Sequence, residues 1–275
     1  MSDTDIAAPA TTFPPEWYPQ REFGEGRVGL SIDGPVAVAA IQVPGKMNAL
    51  DDLATAGLIE ALTVAEAEAR VFVLTGIGGR AFISGADIEA FDDEKRGPSR
   101  FMERQQRLAA SPLPTIAAIR GYCLGGGLMT ALNCDLRVAG ADAQFGVPAA
   151  RLGIAYGYDG LKRLVETVGP SRTRRLLYVG DRIDAATALA WGLVDEMHGP
   201  DALWGAAMAL ARRIAGNAPL SVKASKATIA EVLADPATRD LARIEELSLA
   251  CRESADFREG RRAFLEKRPP VFEGR

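Results

Sequence analysis

Apolar positions follow two rhythms along this chain, and the rhythm changes near Asp159. Before that point, short runs rich in Val and Ile alternate with stretches of helical spacing. Val36–Val43, Val71–Leu74, Thr115–Ile119 and Leu136–Ala139 read as strands, the second ended by Thr75-Gly76. Asn48 is placed to cap a helix whose residues Leu50, Leu53, Ala54, Leu58, Ala61 and Leu62 share one face. Ser99–Ala110 reads as a second helix stopped by Ser111–Pro114, and Gly125–Asn133 as a third that starts straight from a Gly-rich turn. Strand followed by helix, repeated, is the signature of parallel crossover units. Beyond Asp159, Leu161–Val168, Ser171–Tyr178, Ala185–Trp191, Ala202–Ile214, Leu220–Leu233 and Asp240–Glu253 all have helical spacing, with Val194–Met197 as one more short strand. The pattern predicts an α/β core over residues 23–200 and a helical region over 201–275. The Pro- and Thr-rich residues 1–22 are expected to be disordered or loosely docked.

A length of 275 residues suits one large domain, or one domain with a helical appendage. With 48% hydrophobic and 25% charged residues the chain has the composition of an ordinary globular protein. A net charge of −4 leaves no basic excess to neutralise a phosphate backbone, so nucleic acid is not an expected partner, although a local basic cluster for a small phosphorylated ligand is compatible with it. No run of 18 apolar residues is present, so no membrane span is expected. Asp3 and Asp5 with no basic flank argue against a secretory signal or presequence, which points to the cytoplasm. Cys123, Cys134 and Cys251 are odd in number and lack C-x-x-C spacing, as expected of reduced core thiols. The single histidine, His198, cannot build a His-rich metal site and reads as part of a surface loop, so no metal is expected.

Two segments suggest chemistry. Gly121–Gly127 (GYCLGGG) lies between a strand and a helix, where glycines let backbone approach a ligand and leave N–H groups unpaired at a helix start. Such a turn suits an anion or a developing oxyanion, and equally a tight connection with no ligand. It lacks the Gly-Lys-Ser/Thr of a phosphate-binding loop. Arg80–Ile88 (RAFISGADI) follows the Val71–Leu74 strand. There Gly85 permits a sharp turn, the N–H of Ala86 can face a cleft, and Asp87 can hold the turn. Turns at the C-terminal ends of parallel strands are where α/β sheets bind ligands, and a pair of N–H donors from two of them is what a thioester oxyanion needs.

The stretches KMNAL (Lys46–Leu50), AFISGADI (Ala81–Ile88), GYCLGGG, AQFGVP (Ala143–Pro148), GDRIDAATALAWGLVDEM (Gly180–Met197) and FREGRRAFLEKRPPVF (Phe257–Phe272) together resemble the crotonase, or enoyl-CoA hydratase/isomerase, superfamily, from about Gly29 to the C-terminus. The resemblance implies an α/β fold of repeated ββα units with a helical C-terminal trimerisation region, assembled as a homotrimer or dimer of trimers. It implies an acyl-CoA thioester as substrate, no permanently bound cofactor, and an oxyanion hole at Ala86 and Gly126 flanked by Gly85 and Gly125. Lys46, Asn48 and Ala49 fall in the segment that lines the pantetheine and phosphates. Phe264 and Lys267 match positions that reach the CoA of a neighbouring subunit. Glu89 stands where hydratases often place a Lys near the adenine.

The sequence departs from the hydratase pattern at its two proton-transfer positions. Where that pattern has glutamates, this chain has Met129, two residues after the Gly triplet, and Ala149, after the Pro of AQFGVP. Neither can transfer a proton, and general acid–base help is typically worth about 10²–10⁴-fold. The loop Gly153–Gly160 offers Tyr156, which aligns with a catalytic Asp of naphthoate-synthase-like members, and Asp159, which can equally cap the following helix. Arg151 nearby suits a substrate carboxylate or a structural ion pair. Three readings follow. One is an acyl-CoA enzyme with unusual proton-transfer groups; the second is a non-catalytic acyl-CoA binder. The third is a divergent member with other chemistry: decarboxylation, C–C bond cleavage or thioester hydrolysis.

Overall fold

The computed structural model describes residues 13–15, 17–86 and 100–275. Strands β1 (Arg21–Phe23), β2 (Val28–Asp33) and β3 (Val36–Ile41) form an antiparallel start, with β2 and β3 paired from Val28↔Ile41 to Asp33↔Val36. A long helix α1 (Asp52–Glu68) then returns the chain to β4 (Val71–Gly76), which lies parallel to β3. Next come β5 (Ala81–Ile83), helix α2 (Phe101–Ala109), β6 (Thr115–Ile119), β7 (Tyr122–Leu124), helix α3 (Gly126–Leu132), β8 (Leu136–Gly140) and β9 (Gln144–Gly146). The rest is helix α4 (Tyr158–Val179), β10 (Ile183–Asp184), α5 (Ala185–Ala190), β11 (Glu196–His198), α6 (Leu203–Ala215), α7 (Pro219–Leu233), α8 (Leu241–Glu253) and α9 (Ala255–Glu266).

These strands make two sheets. The larger has the order β1-β2-β3-β4-β6-β8-β11 and is parallel from β3 onward; the smaller has the order β10-β9-β7-β5. Three times, at β4–β5, β6–β7 and β8–β9, the chain leaves the larger sheet and at once enters the smaller one. This is the expected repetition of ββα units, and it stacks the C-terminal ends of β5, β7 and β9 side by side.

Period two decides the packing of the larger sheet. Ala37, Ala39, Ile41, Phe72, Leu74, Ala117 and Ile119 face a core shared with α1 and α3. Their neighbours Val36, Val38, Val71, Val73, Ile116 and Ala118 face a second core covered by Leu203, Ala207, Met208 and Ala211 of α6. A sheet covered on both faces needs strands apolar at every position, which is why these runs show no alternation. Burying one such side chain contributes roughly 1.5–3 kcal/mol.

The expected elements are present, with local differences. Thr75-Gly76 continues β4 instead of ending it, and Ser99 lies outside the described residues. Asn48 does not cap α1; Asp51 does, its carboxylate accepting from the Ala54 N–H at 2.7 Å. Leu53, counted on the apolar face of α1, is 38% exposed. The two helices expected over 161–178 are one element, α4, with its helical dihedrals broken at Gly169 (φ 78°) just before Pro170. His198 belongs to β11, not a loop, and its Nε2 lies 2.9 Å from Glu196 Oε2. Cys123 and Cys134 are buried free thiols, whereas Cys251 is half-buried. Phe13 is 2% exposed, edge-on to Trp204, and the Trp17 indole donates to Gln42 Oε1 at 3.2 Å. The docked chain therefore starts ahead of residue 23; residues 1–12 lie outside the description. Among the described residues no helix is long and apolar enough to cross a membrane.

The C-terminal helices leave much apolar surface uncovered. α7 and α8 contain no buried residue. The tail after α9 folds back, with the Asp256 carboxylate accepting from the Glu273 and Gly274 N–H groups at 2.8 Å each.

Candidate active site

The ends of β5, β7 and β9 meet in a cluster of backbone turns. The Gly125 N–H donates to the Gly146 carbonyl at 2.8 Å, tying the β7 turn to the end of β9. Gly125 sits at φ 52° and ψ −118°, a region that a residue with a Cβ rarely enters. At Gly127 a Cβ would lie 2.1 Å from the Ile83 carbonyl oxygen, so α3 packs directly on the β5 backbone only because that position is glycine.

On the other side, Lys46–Leu50 is stitched to the β5 turn. The Ser84 N–H donates to the Met47 carbonyl at 3.2 Å and the Leu50 N–H to the Gly85 carbonyl at 2.9 Å, giving a parallel bridge between Leu50 and Ala86. Asn48 holds this wall together. It is fully buried at φ 57°, a left-handed conformation that asparagine tolerates better than most residues. Its Nδ2 donates to the carbonyls of Ile77 (3.0 Å) and Ala81 (2.8 Å), and its Oδ1 accepts from the Val43 N–H (3.0 Å). Lys46 is exposed at the end of a 3₁₀ turn, Pro44–Lys46, and its carbonyl accepts from the Ala49 N–H at 3.1 Å.

This scaffold brings Ala86 and Gly126 together. A Cβ at Gly126 would lie 3.5 Å from the Ala86 nitrogen. Since a Cβ is about 2.5 Å from its own nitrogen, the two backbone nitrogens are at most about 6 Å apart, close enough for both to bond one oxygen placed between them. Among the described residues neither N–H donates to a protein acceptor. Phe101 of α2 and Tyr156 border the same place. The Phe101 Cε2 lies 3.3 Å from the Gly126 Cβ position, the Tyr156 hydroxyl oxygen lies 3.4 Å from that of Gly125, and the two rings meet edge-on at 6.5 Å. Burial pushes the Tyr156 phenol above its ordinary pKa, so it stays protonated at neutral pH.

The remaining expected residues divide. Met129, at 1% exposure, is one turn along α3 from Gly126, and Ala149, at 7%, lies in the 3₁₀ turn Pro148–Arg151 that follows β9. Asp159 is exposed in the first turn of α4 and does not cap it; the capping position is Gly157. Arg151 pairs with Asp181, the structural alternative of the two considered for it. Phe264, 83% exposed, and Lys267, which ends α9 at φ 54°, stand apart from the cluster. Asp87 and Glu89 lie outside the described residues. A cavity of about 940 Å³ opens toward the C-terminal end of α3, between α2, α4 and α7; it takes in Met129 and Asp159 but neither amide. No group of acids, His or Cys among the described residues could hold a metal ion. The sequence reading missed Phe101 and Arg104, both on α2. The second is a buried guanidinium, and no motif marked it.

The family model described as Enoyl-CoA hydratase/isomerase matches residues 31–275. The chain is 34% identical to a short-chain-enoyl-CoA hydratase from Clostridium acetobutylicum, over 87% of this chain and 94% of that protein. It is 35% identical to a crotonyl-CoA hydratase from Syntrophomonas wolfei, over 88% and 96%. The fold is similar to the crystal structure of an enoyl-CoA hydratase/carnithine racemase from Magnetospirillum magneticum, with a TM-score of 0.84 and 34% identity over 90% of this chain and 96% of that one.

Proposed function

The chain belongs to the enoyl-CoA hydratase/isomerase family, and on that premise we propose that it binds an acyl-CoA thioester and stabilises its enolate between the N–H groups of Ala86 and Gly126. The observation that carries this reading is the adjoining pair of backbone amides with no acceptor among the described residues. Each donor contributes about 2.7–4 kcal/mol when charge develops on the oxygen it meets. The neutral Tyr156 phenol, beside Gly125, is the group that exchanges a proton with the substrate; Asp159, exposed at the start of α4, is a second candidate. Lys46 binds a CoA phosphate as a point charge, while Phe264 and Lys267 reach the CoA of a neighbouring subunit in a homotrimer or dimer of trimers. In support of assembly, Ile229, Val232, Leu241, Phe257 and Leu265 on α7–α9 are each more than half exposed. The reaction is a hydratase-like addition or elimination with impaired acid–base groups, in the cytoplasm and without a permanent cofactor.

A second reading, a non-catalytic acyl-CoA binder, is favoured by Met129 and Ala149, neither of which can transfer a proton. Calorimetry with butyryl-CoA, followed by incubation with a panel of enoyl-, acyl- and malonyl-type thioesters read by mass spectrometry, separates the two. Binding with turnover supports the enzyme, and binding without turnover of any thioester supports the second reading. Absence of binding removes both.

A further inference from the structure

Arg104 is a buried charge whose side chain is left partly unsatisfied among the described residues. Its side chain lies between α2 and α1 at 2% exposure. Among the described residues one hydrogen bond holds it, from a terminal guanidinium nitrogen to Thr55 Oγ1 at 2.6 Å. Its Nε has no partner, and no carboxylate among the described residues lies within ion-pair distance. Burial lowers the guanidinium to about 10, so it is still charged at neutral pH. A buried cation without an anion is costly, and proteins normally pair or neutralise it. The other arginine of this helix follows that rule: Arg107 is clamped to Glu66.

The location of the charge gives it a use. The guanidinium carbon stands 5.2 Å from the centre of the Phe101 ring, the same ring whose Cε2 lies 3.3 Å from the Gly126 Cβ position. The charge is therefore within roughly 12 Å of the Gly126 amide nitrogen, about the reach of a six-carbon dicarboxylic acyl group with a hydrogen bond at each end. On the α1 side, Thr55 is one turn beyond the Asp51 cap, and Leu50 is bridged to Ala86.

We propose that Arg104 is a specificity-determining residue that receives a carboxylate carried on the acyl group, so that the substrates of this site are thioesters of dicarboxylic acids. The proposal rests on the acyl-CoA reading above and adds the class of acyl group. A carboxylate arriving at Arg104 supplies the missing anion and bonds the orphaned Nε. An uncharged chain end leaves both unmet. A charge-assisted, desolvated hydrogen bond of this kind corresponds to about 10–100-fold in affinity.

Calorimetry on the full chain with adipyl-CoA, its ω-methyl ester and hexanoyl-CoA tests this. All three carry the same CoA, so differences belong to the acyl end. Tighter binding of adipyl-CoA, by tenfold or more over both others, is expected, with the preference reduced to threefold or less in Arg104→Met. Arg104→Lys, which keeps the charge, is expected to retain part of it, and thermal melts establish that each variant is folded. Should the Met variant not fold, the native preference and the Lys variant still decide. Equal binding of all three by the native protein overturns the proposal and leaves the acyl-CoA reading intact, with one buried water on Nε as the remaining account. So does a preference unchanged in folded Arg104→Met. Binding of none overturns the acyl-CoA reading and this proposal with it.

Discussion

Installing the two carboxyl groups that the site lacks is the most informative perturbation of its chemistry. Met129 lies three residues after Gly126 on α3, so the two share a helix face, and a glutamate there would start beside the amide pair. Ala149 lies three residues after Gly146, whose carbonyl holds the Gly125 N–H, so a glutamate there starts from the turn that follows β9. Both positions are less than a tenth exposed, so each new carboxyl loses hydration and its pKa rises. Every unit of that rise costs about 1.4 kcal/mol of stability at neutral pH. Against this, general acid–base catalysis supplies about 10²–10⁴-fold. Met129→Glu with Ala149→Glu is therefore expected to raise crotonyl-CoA hydration at least tenfold over the native protein, with a lower melting temperature. The rate should rise with pH as the base deprotonates. The assay is loss of the enoyl-thioester absorbance, with butyryl-CoA binding measured beside it. A double variant that folds and binds butyryl-CoA but hydrates no faster than the native chain would refute the placement of these residues at the reacting carbons. So would native hydration as fast as that of relatives with both glutamates.

Three further outcomes follow. Tyr156→Phe should lower any native turnover at least tenfold while changing acyl-CoA affinity less than threefold; because burial raises the phenol's pKa above 10, native activity should not fall through Tyr156 ionisation between pH 7 and 9, and a descending limb there that Tyr156→Phe abolishes would contradict this. Gly127→Ala should cost about 3 kcal/mol or more in urea unfolding, since its Cβ meets backbone at 2.1 Å; a loss under 1 kcal/mol would mean α3 can retreat from β5. Sedimentation at micromolar concentration should give a trimer or hexamer, weakened by Leu241→Asp on the exposed face of α8; a native monomer would contradict the assembly.

The larger sheet was legible because its strands are buried on both faces: Thr115–Ile119 has no polar interruption that a loop would need, and it is β6 from end to end. The smaller sheet was not. Its strands β5, β7, β9 and β10 are two or three residues long, too short for any periodicity, and they are visible only as motif letters around Gly85 and Gly125. Asn48 was misread for a related reason. Its side chain does satisfy backbone groups, as a cap would, but those of Val43, Ile77 and Ala81, which chain separation hides. The glycines marked a close backbone approach, because a Cβ at Gly127 has no room. Arg104 could not be found in this way: an arginine in an amphipathic helix reads as solvated, and only the packing of α2 against α1 buries it.

The most direct test of the central claim is the carbonyl stretch of a bound thioester. Crotonyl-CoA labelled with ¹³C at the thioester carbonyl, compared with the unlabelled compound by infrared difference spectroscopy, isolates that one bond in the complex. Two N–H donors from Ala86 and Gly126 aimed at its oxygen polarise it, so the band is expected at lower frequency when bound than in water. A bound thioester whose carbonyl band stays at or above its aqueous frequency would show that the two amides do not hold the oxygen.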